Sequence, residues 1–360
     1  MKIRAFITHK KAETFTDCQD RFGVNRSTKS IAVSDGMSQS WQQKIWAQLL
    51  VEKFVEEIDW EPNNDTIKPL CIQWRERVNE FIEHLKVSEA PVNLVYRNER
   101  NLAEGKSAGA TFVGIRFVGT EWKGSVLGDS CLIEWNGDEA IFYTSQNVDS
   151  FDNHPDYFDS NILNEGKGTP VSINGVLENN SCLFLVSDPF SDFLLEHKKQ
   201  GEVAEYIQRL LKLSSHDDFE ALVDEWRKAG MHNDDTTLVI VEPDNFDNFS
   251  IDKKALDDIN ILIDEEKKLI KENKKEEAAE QKPASIPNEL TEDKTIENVT
   301  EKEEKFPVDE EVFRVDFLTE YKKALQKKHP NIGEFKFKWT QKAIIDAVSV
   351  IFKKYSIFIK

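Results

Sequence analysis

The sequence predicts an α+β fold in which packed antiparallel sheets are flanked by helices. Apolar runs of strand length come in groups, amphipathic helical stretches fall between those groups, and glycine turns join them. A doubly wound parallel sheet, which alternates strand and helix one for one, is disfavoured by the same grouping.

Taken in order, residues 2–8 alternate like a strand and residues 30–34 form a second. Residues 38–58 place Trp41, Ile45, Trp46, Leu49 and Phe54 on one helical face, behind a Ser38 or Ser40 cap. Residues 70–85 do the same with Leu70, Trp74, Val78, Phe81 and Leu85. Strands follow at 110–118, 124–127, 131–135, 140–144, 181–187 and 236–241. No internal repeat is visible.

With 360 residues, 39% hydrophobic and 31% charged, the chain can build one large core and something smaller. Its character changes at Pro243. Residues 252–280 read as a highly charged helix, and residues 281–304, with Pro283 and Pro287, hold too little apolar surface to offset the entropy of ordering. Apolar residues return at Phe306, and Val312, Phe313, Phe317, Tyr321 and Leu325 recur at helical spacing, with a second helix expected at 340–352. The expected parts are a main domain over 1–243, an acidic helical or disordered linker over 244–305, and a small helical module over 306–360.

No apolar run approaches the roughly 18 residues that span a bilayer, and the first residues lack a signal-peptide core, so a cytoplasmic protein is expected. Cys18, Cys71, Cys131 and Cys182 show no paired spacing, which argues against zinc and disulfides. A formal charge of −19 argues against nucleic acid or an anionic membrane as partner, although much of the excess falls late in the chain.

Four segments share one grammar: an apolar strand with an aspartate at one end. Residues 31–34 lead to Asp35 and Gly36, residues 125–128 to Asp129, and residues 183–187 to Asp188; Asp234 and Asp235 instead open the run 236–241. Taken singly, such an aspartate is a turn former. Gathered at one edge, several carboxylates either take up protons or bind a cation, and an all-oxygen set suits Mg²⁺ or Mn²⁺. A glycine after the acid lets the backbone approach closely and offer its carbonyl. Two such ions can share a water and clamp a phosphoryl group during in-line hydrolysis.

These segments resemble, in order, the motifs of the protein phosphatase 2C family of metal-dependent serine/threonine phosphatases, in its bacterial form. The matching pieces are Cys18-Gln19-Asp20-Arg21-Phe22, Val33-Ser34-Asp35-Gly36-Met37, Ser107-Ala108-Gly109-Ala110-Thr111, Gly128-Asp129-Ser130, Val186-Ser187-Asp188 and Asn233-Asp234-Asp235-Thr236-Thr237. The resemblance covers roughly residues 1–242. It implies an αββα sandwich of two antiparallel sheets with helices on both outer faces and a binuclear Mg²⁺ or Mn²⁺ centre at one end. Asp35 would bridge the metals with the Gly36 carbonyl on one of them, Asp188 and Asp234 would hold the other, and Asp20 would contribute directly or through water. Asp129 matches a position used for a third, weaker metal.

Three positions depart from the pattern. Phe15 stands where many members carry a phosphate-binding arginine, for which Lys10, Lys11 and Arg21 are the candidate substitutes. Gln19 replaces a glutamate, and Pro189 replaces a glycine and stiffens the turn after Asp188. His154, His216 and His232 lie in polar stretches and read as solvated loop residues; His232, beside Asp234, is the candidate general acid. The acid-rich stretch from Asp149 to Asp159 lacks an EF-hand spacing and reads as a solvated flap near the substrate.

The expected activity is therefore hydrolysis of phosphoserine and phosphothreonine in proteins by metal-activated water. The C-terminal module would recruit a partner or the substrate. A catalytically weak scaffold that binds a phosphoprotein is the rival reading, and a phosphatase of small metabolites is disfavoured because no enclosing lid is evident.

Overall fold

A strand buried on both faces must be apolar along its whole length, and the runs 30–34, 182–186 and 236–241 are of this kind. The computed structural model describes residues 1–88, 90–146, 155–164, 166–244 and 248–252. Its elements begin with β1 (Lys2–Thr8), β2 (Arg21–Asn25), β3 (Ser30–Ser34), α1 (Gln43–Glu56), α2 (Lys68–Val87) and α3 (Val92–Ala103). There follow β4 (Gly109–Ala110), β5 (Phe112–Val118), β6 (Glu121–Leu127), β7 (Cys131–Trp135), β8 (Ala140–Tyr143), β9 (Phe158–Asp159), β10 (Val171–Val176) and β11 (Cys182–Val186). The series closes with α4 (Asp188–Lys199), α5 (Val203–Leu211), α6 (His216–Lys228), β12 (Thr236–Glu242) and β13 (Ser250–Ile251).

Two sheets result, in strand order β13-β1-β12-β11-β7-β8 and β10-β6-β5-β3-β2, with a small β4-β9 pair beside them. Every pairing is antiparallel except that of β1 with β13. Alternate residues of each strand serve different layers. Ile3, Ile31, Val33, Val113, Leu183, Leu185 and Val239 fill the space between the sheets. Phe6, Ile133, Phe184, Leu238 and Ile240 face α4, α5 and α6, whereas Ala32, Phe112 and Leu127 face α1 and α2. These three apolar layers define the αββα sandwich that the motifs implied. Each fully buried aliphatic or Phe side chain contributes about 1.5–3 kcal/mol, so the rim of the sandwich can carry groups that are costly to bury.

Several expectations change. The first helix begins at Gln43, with Gln42 in the left-handed region and no side-chain cap; Ser40 instead donates to the Met37 carbonyl and accepts from Gly109 N–H. On α2 Leu70, Trp74 and Val78 are buried as expected and Cys71 and Ile82 join them, whereas Phe81 packs only partly. The run 110–118 is broken at Thr111, whose N–H bonds to the Asp35 carbonyl. His216 is no loop residue: it is 1% exposed at the start of α6, with Nε2 at 2.7 Å from the Ile7 carbonyl. Chain beyond 243 returns to the sheet, because Ser250 and Ile251 pair with Lys2 and Ile3. All four cysteines are free. No helix among the described residues is long and apolar enough to cross a membrane.

The chain divides into two units, Met1–Pro283 and Ala284–Lys360. The described residues belong to the first, so the expected helix at 252–280, the linker and the helical module over 306–360 lie outside them, as does most of the Asp149 to Asp159 stretch. Asp159 itself is a buried turn former that accepts from Asn161 N–H and Asn164 Nδ2.

The β5–β6 pairing is unusually close at Gly124, where a Cβ would stand 1.9 Å from the Gly114 carbonyl oxygen. Since the obstacle is backbone, Gly124→Ala is expected to destabilise the domain by about 3 kcal/mol, read as a lowered midpoint of urea unfolding.

Candidate metal centre

The sheet registers bring the acids together. Arg21 pairs with Ser34, so Asp20, just before β2, and Asp35, just after β3, emerge side by side from one sheet. In the other sheet Val186 pairs with both Leu238 and Cys131, so the end of β11 meets the starts of β12 and β7. Asp188, Asp234 and Asp129 therefore crowd the same edge. Asp35, Asp129, Asp188 and Asp234 line one pocket of ≈520 Å³, together with Ser38, Tyr157, Lys167, Asp192 and His232.

Hydroxyl groups hold this edge in place. Thr237 Oγ1 donates to Asp20 Oδ2 at 2.7 Å, and Thr237 N–H donates to Ser187 Oγ at 2.9 Å. Ser191 Oγ donates to the Asp129 carbonyl at 2.7 Å, and Ser34 Oγ to the Thr111 carbonyl at 2.6 Å. Gly128 sits at φ 94° with the Asp156 carbonyl 2.6 Å from where a Cβ would be, so only glycine can make the turn into Asp129. Gly36 serves by close approach: a Cβ there would meet Gln43 at 2.9 Å and the Gln19 carbonyl at 3.1 Å.

Crowding and burial reshape the carboxyl groups. Burial, then the charge of Asp235, pushes Asp20 up to about 6. Burial, then Asp192 and Asp20, pushes Asp129 up to about 7 against its backbone hydrogen bonds. Asp35 is held well above the ordinary range by burial and by Asp20, Asp188 and Asp129; Asp188 is raised by burial and by Asp129, Asp20 and Asp234.

The donor set fits hard divalent ions. Asp20 Oδ1, Asp129 Oδ1 and Gln19 Oε1 are buried oxygens without a hydrogen-bond partner, all three acceptors drawn from the motif residues. Among the described residues, no three His, Cys, Asp or Glu side chains already stand as a cage for a metal ion. The fit therefore lies in the donor chemistry and the orphaned oxygens.

Of the three cations considered for phosphate, Lys10 alone reaches the pocket wall: its Nζ lies 2.7 Å from Asp234 Oδ1 and 3.1 Å from Ser38 Oγ. Lys11 is exposed, with its N–H on Asn233, and Arg21 is turned onto the carbonyls of Cys18 and Asp20. Phe15 packs edge-on to His9 at 4.8 Å and tilted against His216 at 5.7 Å. His232 is exposed on the pocket wall. Asp235, read at the start of the last strand but given no role, accepts from Lys10 N–H at 2.9 Å and Gln19 N–H at 2.6 Å. Asp192, one helical turn beyond Asp188, escaped the reading of strand ends.

No family model and no curated protein sequence matches the chain. Solved structures do. A bacterial serine phosphatase is similar over 68% of this chain and 98% of its own, at 14% identity and a TM-score of 0.44. The serine/threonine phosphatase Stp1 from Staphylococcus aureus is similar over 68% of this chain and 95% of its own, at 13% identity and a TM-score of 0.44. The catalytic domain of the serine/threonine phosphatase PstP, solved in complex with two manganese ions, is similar over 67% of this chain and 96% of its own, at 18% identity and a TM-score of 0.38. Likeness at this level says nothing about activity.

Carboxyl groups whose folded pKa exceeds the unfolded value, roughly 4, stabilise the fold while protonated, and that contribution is lost as pH rises through the folded values. With Asp20 near 6 and Asp129 near 7, the Tm of metal-free protein is expected to fall between about pH 5 and about pH 8. Mn²⁺ should raise Tm more at the higher pH, and Asp35→Asn should raise the metal-free Tm there while removing most of the Mn²⁺ gain. Thermal unfolding at both pH values reads all three.

Proposed function

We propose that this chain is a metal-dependent phosphomonoesterase that removes phosphate from phosphoserine and phosphothreonine in proteins. The observation that carries the reading is the convergence of aspartates from five separate strand ends on one edge of the sandwich, four of them lining a single pocket. Asp35, Asp188, Asp234, Asp20 and the Gly36 carbonyl are the groups that would hold two ions, with Asp129 placed for a third. Bound there, Mn²⁺ or Mg²⁺ would supply Lewis acidity toward the phosphoryl oxygens and a water of lowered pKa.

The chain's own side chains complete the site. Lys10 takes the part left by Phe15, since its ammonium group stands on the pocket wall between Asp234 and Ser38, where a phosphate oxygen can compete for it. Burial pulls the Lys10 pKa down, but the hydrogen bond and charge of Asp234 outweigh it and raise the group, so it stays cationic. His232, exposed on the pocket wall, would donate a proton to the departing serine or threonine oxygen.

One observation favours the rival, a scaffold that binds phosphoproteins without turnover. Lys10 occupies Asp234, a carboxylate the metals need. Purified protein with Mn²⁺ separates the two: the enzyme hydrolyses p-nitrophenyl phosphate and a phosphothreonine peptide, whereas the scaffold binds the peptide unchanged. Asp35→Ala is expected to abolish both activities, and Lys10→Met to lower kcat/KM by about 10- to 100-fold through loss of a charge-assisted contact. Activity that survives EDTA would overturn the metal-dependent reading. Removal of residues 306–360 is expected to spare p-nitrophenyl phosphate hydrolysis and slow dephosphorylation of the protein substrate, if that segment recruits it.

A further inference from the structure

Beside the acid pocket lies a second cavity of ≈420 Å³, between α4 and residues 229–232. Asp192 and His232 line both, so the two spaces meet along one wall. The second cavity has an apolar floor of Phe193, Leu195 and Met231, which are 8%, 5% and 4% exposed. At its junction with the acid pocket stands the half-buried Asp192 carboxylate, which makes no hydrogen bond or ion pair among the described residues. A carboxylate in that position is stabilised by a cation that brings its own apolar stem.

We propose that this cavity receives a lysine or arginine side chain of the substrate polypeptide, close in sequence to the phosphorylated residue; the inference rests on the phosphatase reading above. The methylene stem lies over Phe193 and Met231, and the cationic head meets Asp192. The remaining charges around the cavity leave this choice standing. Lys199 Nζ lies 3.8 Å from Glu196 Oε2. His197 is stacked on Tyr206 with ring centroids 3.8 Å apart and holds Glu202 at 3.2 Å. The cations whose charges act on Asp192 itself are His232 and Lys199.

The test uses full-length protein with Mn²⁺ and phosphothreonine peptides in which a single lysine is walked along an alanine background, with glutamate and leucine series beside it. The best lysine peptide is expected to exceed the alanine peptide in kcat/KM by roughly 10-fold, the scale of a hydrogen bond to a charged group. Asp192→Asn should collapse that ratio. Lys199→Glu, which removes a cation acting on Asp192 and lies outside the acid pocket's lining, should widen it and leave p-nitrophenyl phosphate hydrolysis as it was. A lysine-to-alanine ratio near one with p-nitrophenyl phosphate still hydrolysed overturns the cavity's role and spares the phosphatase reading, as does a glutamate or leucine peptide that is preferred. Should no ester be hydrolysed at all, the phosphatase reading falls, and fluorescence anisotropy with the same peptides decides the rest: equal affinities for lysine and alanine peptides overturn the proposal.

Discussion

Repulsion among carboxylates that antiparallel pairing forces together is the constraint around which this domain is built. Asp20, Asp35, Asp129 and Asp188 emerge at one edge because the ends of β2, β3, β7 and β11 are fixed by their registers, and none can withdraw without breaking a ladder. A charge brought from water into such a place is costly unless it is paired or neutralised. Here it is met in part by protons and by the Thr237 hydroxyl on Asp20. The three apolar layers of the sandwich supply the stability against which that cost is set.

Much of this was legible in the sequence, for a physical reason. Strands β3, β11 and β12 lie between a helix layer and a second sheet, so burial of both faces wrote an apolar run into each. The aspartates stood out because each interrupts such a run. Strands β2 and β10 were not found: neither has a fully buried face, and β10 forms a sheet edge with residues as polar as Ser172 and Asn174. Helix α3 was missed on similar grounds, since its one buried residue is Asn98.

What the sequence left open were choices that only tertiary contacts make. Lys10, Lys11 and Arg21 are equivalent cations on paper, and the fold separates them by giving Arg21 to the backbone carbonyls of its own turn and leaving Lys11 in solvent. Phe15 looked like a missing function, yet it gains a place among His9 and His216, which a guanidinium group would not fill in the same way. His216 misled because its neighbours Ser214, Ser215, Asp217 and Asp218 are polar, whereas its own ring is turned inward to the β1 carbonyl of Ile7. Asp192 went unnoticed because it sits a helical turn inside α4 instead of at a strand end.

Asp235 has a mechanical consequence. One carboxylate grips Lys10 N–H with one oxygen and Gln19 N–H with the other, so the intervening stretch is closed into a loop whose two feet share a single anchor. The foot at Lys10 leads to the ammonium group on Asp234 and Ser38, and the foot at Gln19 leads to the buried Asp20. Neither foot can shift without tugging the other, and by linkage whatever steadies one of them lightens the task of whatever comes to the second.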